Sequence, residues 1–405
     1  MPTRWWIAAL LFASTTINYL DRQTLSVLAP RLKIDYAWSN SDFALIVMAF
    51  RAAYALGQLL SGRWLDRVGT RTGLALAVTA YSGIAMLTSF ASGLPGFAVC
   101  RFLLGLGESA NWPGAAKAVA EWFPKQERGW AVALYDSGSA VGGAIAPALV
   151  LGLAVWFGSW RPAFAVIGAL GFLWVILWLR TYPRVAPVAL TADPATMLLP
   201  PPRWIDLARS RSAWAVILGR TLTDPVWFFI SDWFAVFLVA RGFTLENTVA
   251  GFWAPFLAAD LGNFAGGGFS SWLIHRHHWP VERARRLVVI LGGLGMTSIA
   301  AAVWITSFVP LVALFALATF SYAAISTMVL TLPTDLFDSR SVASVSGMSG
   351  AGAGIGTILT TFLIGWVADR YSFEPVLIAA SLVPLAAVAA VLWLMPGKGE
   401  AAGAD

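Results

Sequence analysis

Long apolar stretches, each near the length of a membrane-crossing helix, alternate along this chain with short polar breaks. A hydrocarbon core takes about 20 helical residues to cross. Read at that length, the pattern predicts twelve helices over 5–30, 41–65, 72–93, 96–120, 128–157, 160–180, 213–240, 247–273, 287–307, 310–333, 341–368 and 374–395. One long polar connection interrupts the rhythm, 181–212, "TYPRVAPVALTADPATMLLPPPRWIDLARSRS". Its prolines suit a linker, so residues 1–180 and 213–405 read as two bundles of six helices.

The halves share spacing as well as helix number. "GQLLSG" at 57–62 matches "GNFAGG" at 262–267, with glycine at both ends of each hexamer. "DSGSAVGGAIAP" at 136–147 has a weaker partner in "MSGAGAGIGTIL" at 348–359, and "WRPAF" at 160–164 has one in "FEPVL" at 373–377. Duplicated halves imply a pseudo-two-fold axis along the membrane normal and a substrate site near the midplane where they meet. Glycine rows such as Gly138, Gly142 and Ala146, or Gly262 and Gly266, let helices approach closely.

Composition narrows the class further. With 58% hydrophobic and 12% charged residues, the 405-residue chain is a polytopic membrane protein rather than a soluble one. Its net charge of +6 is no sign of a nucleic-acid partner, because the basic residues sit in short loops between apolar spans. Arg63, Arg67, Arg71, Lys125, Arg128, Arg180, Arg203, Arg276 and Arg283 fall on one side, whereas Arg31, Lys33, Arg161, Arg241 and Arg370 fall on the other. By the positive-inside rule both termini are expected in the cytoplasm and the protein in the cell inner (plasma) membrane. Cys100 is the single cysteine, so no disulfide framework arises. The "HRHHWP" loop holds His275, His277 and His278 without cysteine or carboxylate beside them, which reads as topology rather than metal binding. No cofactor is expected.

Several ionisable groups remain inside the spans, where each costs about 2.5–3.5 kcal/mol on insertion scales and asks for a functional reason. Asn18, Asp21 and Arg22 stand at i, i+3 and i+4, one face of the first helix. In the fourth, Arg101, Gly105, Glu108 and Trp112 follow at i, i+4, i+7 and i+11, again one stripe. Two acids and two bases can thus converge on one cavity. Arginine offers a planar fork for a carboxylate, so Arg22 is the expected clamp for an anionic substrate, with Arg101 holding Glu108 or Asp21. A carboxylate is driven neutral by desolvation and charged by a nearby arginine, which makes Asp21 and Glu108 the candidates for proton coupling. The same four residues also fit a buried ion-pair network that only fixes helix packing. Tyr54 and Gln58, one turn apart, can add hydroxyl and amide contacts. Trp112, Trp227 and Trp233 can offer flat faces to a ligand's C–H groups or simply pack, and Asn263 can face a cavity or bond to a neighbouring helix. Arg220 and Asp224, four apart, read as a pair along their helix.

"GRWLDRVGTR" at 62–71 resembles the signature loop between the second and third helices of the major facilitator superfamily. In that motif Gly62 permits close helix approach, while Asp66 and Arg67 at a helix end pair with neighbouring charges and helix dipoles to latch one face shut. Ser271 stands where the second half would carry Asp66, so the latch looks asymmetric. "NYLDRQTLSVLAP" at 18–30, "RFLLGLGESANWPGAAKAVAEWFPKQERG" at 101–129 and "FLAADLGNFAGG" at 256–267 resemble the anion:cation symporter family within it, above all its hexuronate and sugar-acid transporters. The resemblance covers nearly the whole chain. It implies proton-driven uptake of an organic anion such as galacturonate, glucuronate or an aldonate. It also implies Asp21, Arg22, Arg101 and Glu108 as working groups and Tyr19 and Tyr54 as binding-site tyrosines. Arg51, mid-helix, and Asp136, near the start of the fifth span, depart from the pattern and weaken a specific substrate assignment.

A different carboxylate cargo, or a membrane sensor that binds the anion without moving it, fits the same residues. An enzyme does not, since the chain shows no set of nucleophile and base or of metal ligands. Nothing in the sequence demands more than a monomer.

Overall fold

The computed structural model describes residues 3–183, 201–243 and 245–395. Among these residues the chain forms helices and no strand: α1 (Thr3–Asp35), α2 (Asn40–Val68), α3 (Thr70–Thr88), α4 (Gly93–Glu108), α5 (Asn111–Trp122), α6 (Arg128–Trp156) and α7 (Arg161–Thr181). After the linker come α8 (Trp204–Arg209), α9 (Arg211–Ala240), α10 (Leu245–His277), α11 (Val281–Met296) with a 3-10 extension over Thr297–Val303, α12 (Phe308–Leu336), α13 (Val342–Arg370) and α14 (Glu374–Leu394). Counting α4 with α5 and α11 with its extension as single spans, and setting aside the short α8, these are the twelve expected spans. Most of the linker, 184–200, lies outside the described residues. Its end is helical, in α8 and the first turn of α9.

Local chemistry accounts for the helix ends. Ser39 and Asp42 form a reciprocal cap at the start of α2: the Asp42 N–H donates to Ser39 Oγ at 3.1 Å and the Ser39 N–H to Asp42 Oδ2 at 2.9 Å. Pro162 and Pro375, from the paired "WRPAF" and "FEPVL" segments, both sit in the first turn of their helices, where a missing N–H leaves no bond unmade. One expected helix departs from the pattern. Span 96–120 is interrupted between α4 and α5 because Pro113 cannot donate to the Ser109 carbonyl four residues back. The Ser61 hydroxyl takes that place, donating to Ser109 O at 3.3 Å.

Two compact units emerge, and neither is a simple half of the chain. Unit 1 comprises 1–123, 134–201 and 337–351, and unit 2 comprises 124–133, 202–336 and 352–405. In unit 1, Trp38, Phe97, Trp160 and Phe164 form an aromatic core with Leu25, Leu28 and Leu32 of α1. Trp174 Nε1 donates to Leu10 O at 2.7 Å and Trp178 Nε1 to Arg71 O at 3.0 Å, tying α7 to α1 and to the α3 start. In unit 2, Phe315 packs against Phe229, Phe234 and Phe237.

Large apolar side chains also point outward, including Phe90, Val155, Trp156 and Phe362, each at least 74% exposed. Outward apolar faces on helices whose backbone bonds are satisfied internally are what a bilayer requires. Seven of the described helices are long and apolar enough by themselves to cross one. The rest are shorter or carry the polar residues of interest.

Candidate anion and proton site

The site is built where α1, α2 and α4 converge in unit 1. Gly105 makes the approach possible: a Cβ there would fall 2.5 Å from Phe50 O and 3.2 Å from the Ala53 Cβ. With no side chain to separate them, α4 lies directly on α2 at Phe50–Tyr54. One turn further, the last residue of α4 is Glu108, fully buried.

Arg22 of α1 reaches Glu108, with Nη2 at 3.1 Å and Nε at 3.4 Å from Oε2. Its guanidinium lies over three aromatic rings, Tyr19 at 4.8 Å, Phe50 at 4.9 Å and Tyr54 at 4.7 Å from the centroids. Asn18 Oδ1 accepts from Nη2 at 3.3 Å. The Arg22 side chain keeps 24% of its surface accessible while Glu108 has none. A planar cation is therefore held among π faces while part of its surface stays accessible.

Arg101, expected to hold Glu108 or Asp21, acts electrostatically on both acids. It donates from Nη1 to the Arg22 backbone carbonyl at 3.3 Å, and its Nε and Nη2 are buried without a hydrogen bond. Asp21 is 3% exposed, and the charge of Arg101 acts directly on it. Asp21 Oδ2, Glu108 Oε1 and Asn18 Nδ2 are likewise buried and unbonded. Such atoms cost about 1–3 kcal/mol each when left without a partner.

Tyr19, Asp21, Arg22, Tyr54, Arg101 and Glu108 are thus brought together. Asp136 of α6 lies within electrostatic reach of Tyr19, and Arg51, half-buried, follows Phe50 on α2. Trp112 packs on Tyr135 at 5.6 Å. Gln58, 2% exposed, is lodged against α13, where a Cβ on Gly350 would collide with its amide. In unit 2, Asn263 Oδ1 accepts from Thr327 Oγ1 at 2.9 Å. Trp227 stacks on Tyr322 at 5.8 Å and 9°, and Trp233 meets Phe373 at 6.2 Å. Arg220 pairs with Asp224 at 3.0 Å as its spacing predicts, and Asp224 Oδ1 also accepts from the Tyr322 hydroxyl at 3.2 Å.

The residues of the signature loop form a separate cluster in unit 1. Asp66 Oδ1 accepts from Lys117 Nζ at 2.8 Å, and Oδ2 accepts from the Ser344 N–H at 2.7 Å, capping the start of α13. Lys117 also donates to the Ser339 carbonyl. A Cβ on Gly62 would run into the Ala343 carbonyl, so the glycine is needed for this contact. Lys117, not Arg67, is the cation on Asp66, and Arg67 is exposed. Unit 2 supplies its own carboxylate from elsewhere in the chain: Asp335 accepts from Arg285 Nε at 3.0 Å and Arg128 Nη1 at 3.4 Å. Sequence reasoning missed Lys117, Phe50 and Asp335. A lysine inside the apolar "GAAKAVAEW" was the available signal for the first; a phenylalanine in an apolar span carries none.

A sequence profile of the Major Facilitator Superfamily matches residues 11–304. The chain belongs to that superfamily. Major facilitator proteins are transporters, so this chain is a transporter rather than an enzyme. It is 30% identical over 404 residues to the hexuronate transporter of Escherichia coli K12, an alignment that covers 96% of this chain and 93% of the relative. It is 32% identical over 310 residues to the galacturonate transporter of Dickeya chrysanthemi, covering 72% and 89%. Among solved structures, a major facilitator proton:xylose symporter bound to 6-bromo-6-deoxy-D-glucose superposes with a TM-score of 0.76 at 14% identity, covering 97% of this chain and 96% of that one. This last likeness is one of fold.

Proposed function

We propose that this major facilitator protein is a proton-coupled symporter. It imports a sugar-acid anion, a hexuronate such as galacturonate or glucuronate, by alternating access across the cell inner membrane, with both termini in the cytoplasm. The observation that carries the reading is the Arg22–Glu108 pair, a buried carboxylate holding a partly accessible, aromatic-caged guanidinium. The printed names of the relatives support the choice of cargo.

Arg22 can hold Glu108 or a substrate carboxylate strongly, but not both at full strength. Protonating Glu108 removes its charge and frees the guanidinium fork for the incoming anion. Releasing the anion returns Arg22 to Glu108 and favours loss of the proton. Proton and anion are thereby bound and released together, the thermodynamic requirement of symport. Asp21, under the charge of Arg101, is the second proton-carrying candidate. Tyr19, Tyr54 and Gln58, with Trp112, Trp227, Trp233 and Asn263, are assigned to the substrate, and Gly62, Asp66 and Arg67 to the gate.

The test is uptake by the purified protein in liposomes. A monovalent anion moving with one proton is driven by the pH difference alone, and one unit supports about tenfold accumulation. Galacturonate or glucuronate should reach that ratio and lose it when a protonophore collapses the gradient. Binding without flux would make the protein a sensor, and accumulation of lactate or benzoate in preference to hexuronates would change the cargo.

A further inference from the structure

A buried asparagine ties the joint between α4 and α5 to α1. Asn111, 3% exposed, is the first residue of α5 and stands three residues after Glu108. Its Oδ1 accepts from the Ser14 hydroxyl at 2.6 Å, and its Nδ2 donates to Thr15 Oγ1 at 3.1 Å. The Thr15 hydroxyl in turn donates to the Leu11 carbonyl at 3.1 Å. Ser14 and Thr15 are buried as completely as Asn111. Each polar side-chain atom in this chain of contacts has a partner, and a satisfied network in a buried place is rigid.

A continuous helix would carry Glu108 by its own backbone. Here the helix is interrupted at Ser109 and Ala110, directly after Glu108, so the place of that carboxylate also depends on what holds the break. From α2 comes the Ser61 hydroxyl on the Ser109 carbonyl at 3.3 Å, and from α1 come Ser14 and Thr15 on Asn111. Ser14, Asn18 and Arg22 recur every four residues on one face of α1. Asn111 meets the first of them and Glu108 the last, at 3.1 Å. Two rungs thus join α1 to the α4–α5 segment, one neutral and one ionic. A charge pair alone tolerates pivoting, whereas a rung of directional hydrogen bonds fixes the register.

We propose that Asn111 is a positioning residue for the anion clamp. By pinning the α4–α5 break to α1 it holds Glu108 against Arg22, and so sets how strongly that carboxylate competes with a bound anion. This rests on the reading of Arg22 and Glu108 given above. Asn111 carries no charge, and among the described residues its side chain bonds only to Ser14 and Thr15. The titratable groups that reach Glu108 are Tyr19, Asp21 and Arg22 from α1, Arg101 from α4 and Tyr81 from α3. Replacing Asn111 leaves all of them in place, so a changed pH profile reports the position of Glu108.

The test is calorimetric titration of the purified protein with galacturonate or glucuronate at pH 5.5 and 8. The wild type is measured first: if its affinity does not rise as pH falls, the clamp reading fails and the positioning role with it. Given that rise, Asn111→Ala should bind about three- to tenfold more tightly than wild type at pH 8, the range of one lost hydrogen bond, and within about twofold of it at pH 5.5, where protonation has already weakened the competitor. An unchanged pH profile would overturn the proposal. So would an equal change at both pH values, the mark of a packing role. Thr15→Val keeps the shape and removes the acceptor for Asn111, so it should act in the same direction, while Thr15→Ser keeps the hydroxyl and should retain the wild-type profile. Should Asn111→Ala not fold, the two Thr15 variants decide: a wild-type profile in Thr15→Val overturns the proposal, and so does an equal shift in Thr15→Ser.

Discussion

Glu108→Gln offers the sharpest test of how the clamp is controlled. The substitution keeps the shape of the side chain and removes its charge. On the proposed mechanism, a substrate carboxylate displaces Glu108 from Arg22, where the contacts are 3.1 and 3.4 Å. A hydrogen bond to a charged group contributes about 1.5–3 kcal/mol, and 1.4 kcal/mol is a factor of ten, so removing the competitor should tighten binding about ten- to a hundredfold at high pH. The sign of the pH dependence follows. Lowering pH protonates Glu108 and frees Arg22, while a sugar acid remains ionised above about pH 4. Wild-type affinity should therefore rise as pH falls, and the variant should bind tightly at all these values. Fold stability should drop only modestly. Removing one partner of a buried pair costs about 3–5 kcal/mol when the other is stranded, but Arg22 keeps an amide oxygen, three ring faces and partial solvent access, so a loss of about 1–2 kcal/mol is expected. The assays are calorimetric titration of galacturonate or glucuronate between pH 5.5 and 8, and liposome uptake. The variant should exchange substrate but not concentrate it against a gradient. Wild-type pH dependence of binding in the variant, or tenfold accumulation across one pH unit, would refute the competition mechanism.

Other outcomes follow from the same geometry. Arg22→Lys replaces a planar, forked cation among Tyr19, Phe50 and Tyr54 by a point charge; affinity should fall about tenfold or more by titration, with little change in expression. Gly105→Ala places a methyl group against Phe50 O and should cost about 1–3 kcal/mol, visible as a lower melting temperature in detergent. Asp66→Ala removes the nearer carboxylate from buried Lys117, which keeps the Ser339 carbonyl and Glu121 at 4.0 Å, and uncaps α13; a loss of about 1–3 kcal/mol is expected, with Asp66→Asn milder because one amide oxygen can still accept from the Ser344 N–H. Equal melting temperatures for Asp66→Ala and wild type would show that the cluster contributes nothing to this conformation.

Helix number, approximate span positions and the candidate residues were legible in the sequence because they follow from local rules. Apolar length sets each span, a proline or a Ser–Asp cap starts a helix, and residues spaced three or four apart share a face. An ionisable residue in a span declares itself because burial is costly wherever it points. Arg220 and Asp224 paired as their spacing said, since both partners lie on one helix. Partner choice across helices was another matter. Which arginine holds Glu108, which cation meets Asp66 and where unit 2 finds a carboxylate in place of Ser271 all depend on the separation and rotation of packed helices. Those are set by contacts such as Gly105 on Phe50 and Gly62 on Ala343. The interruption after Glu108 shows both levels at once: Pro113 dictates that a hydrogen bond is lost, and only the packing of α2 decides that Ser61 makes it good. Sequence alone named the charges at bilayer depth; tertiary structure assigned their partners, because a hydrogen bond is decided within tenths of an ångström and side-chain spacing along one helix carries no information about its neighbour.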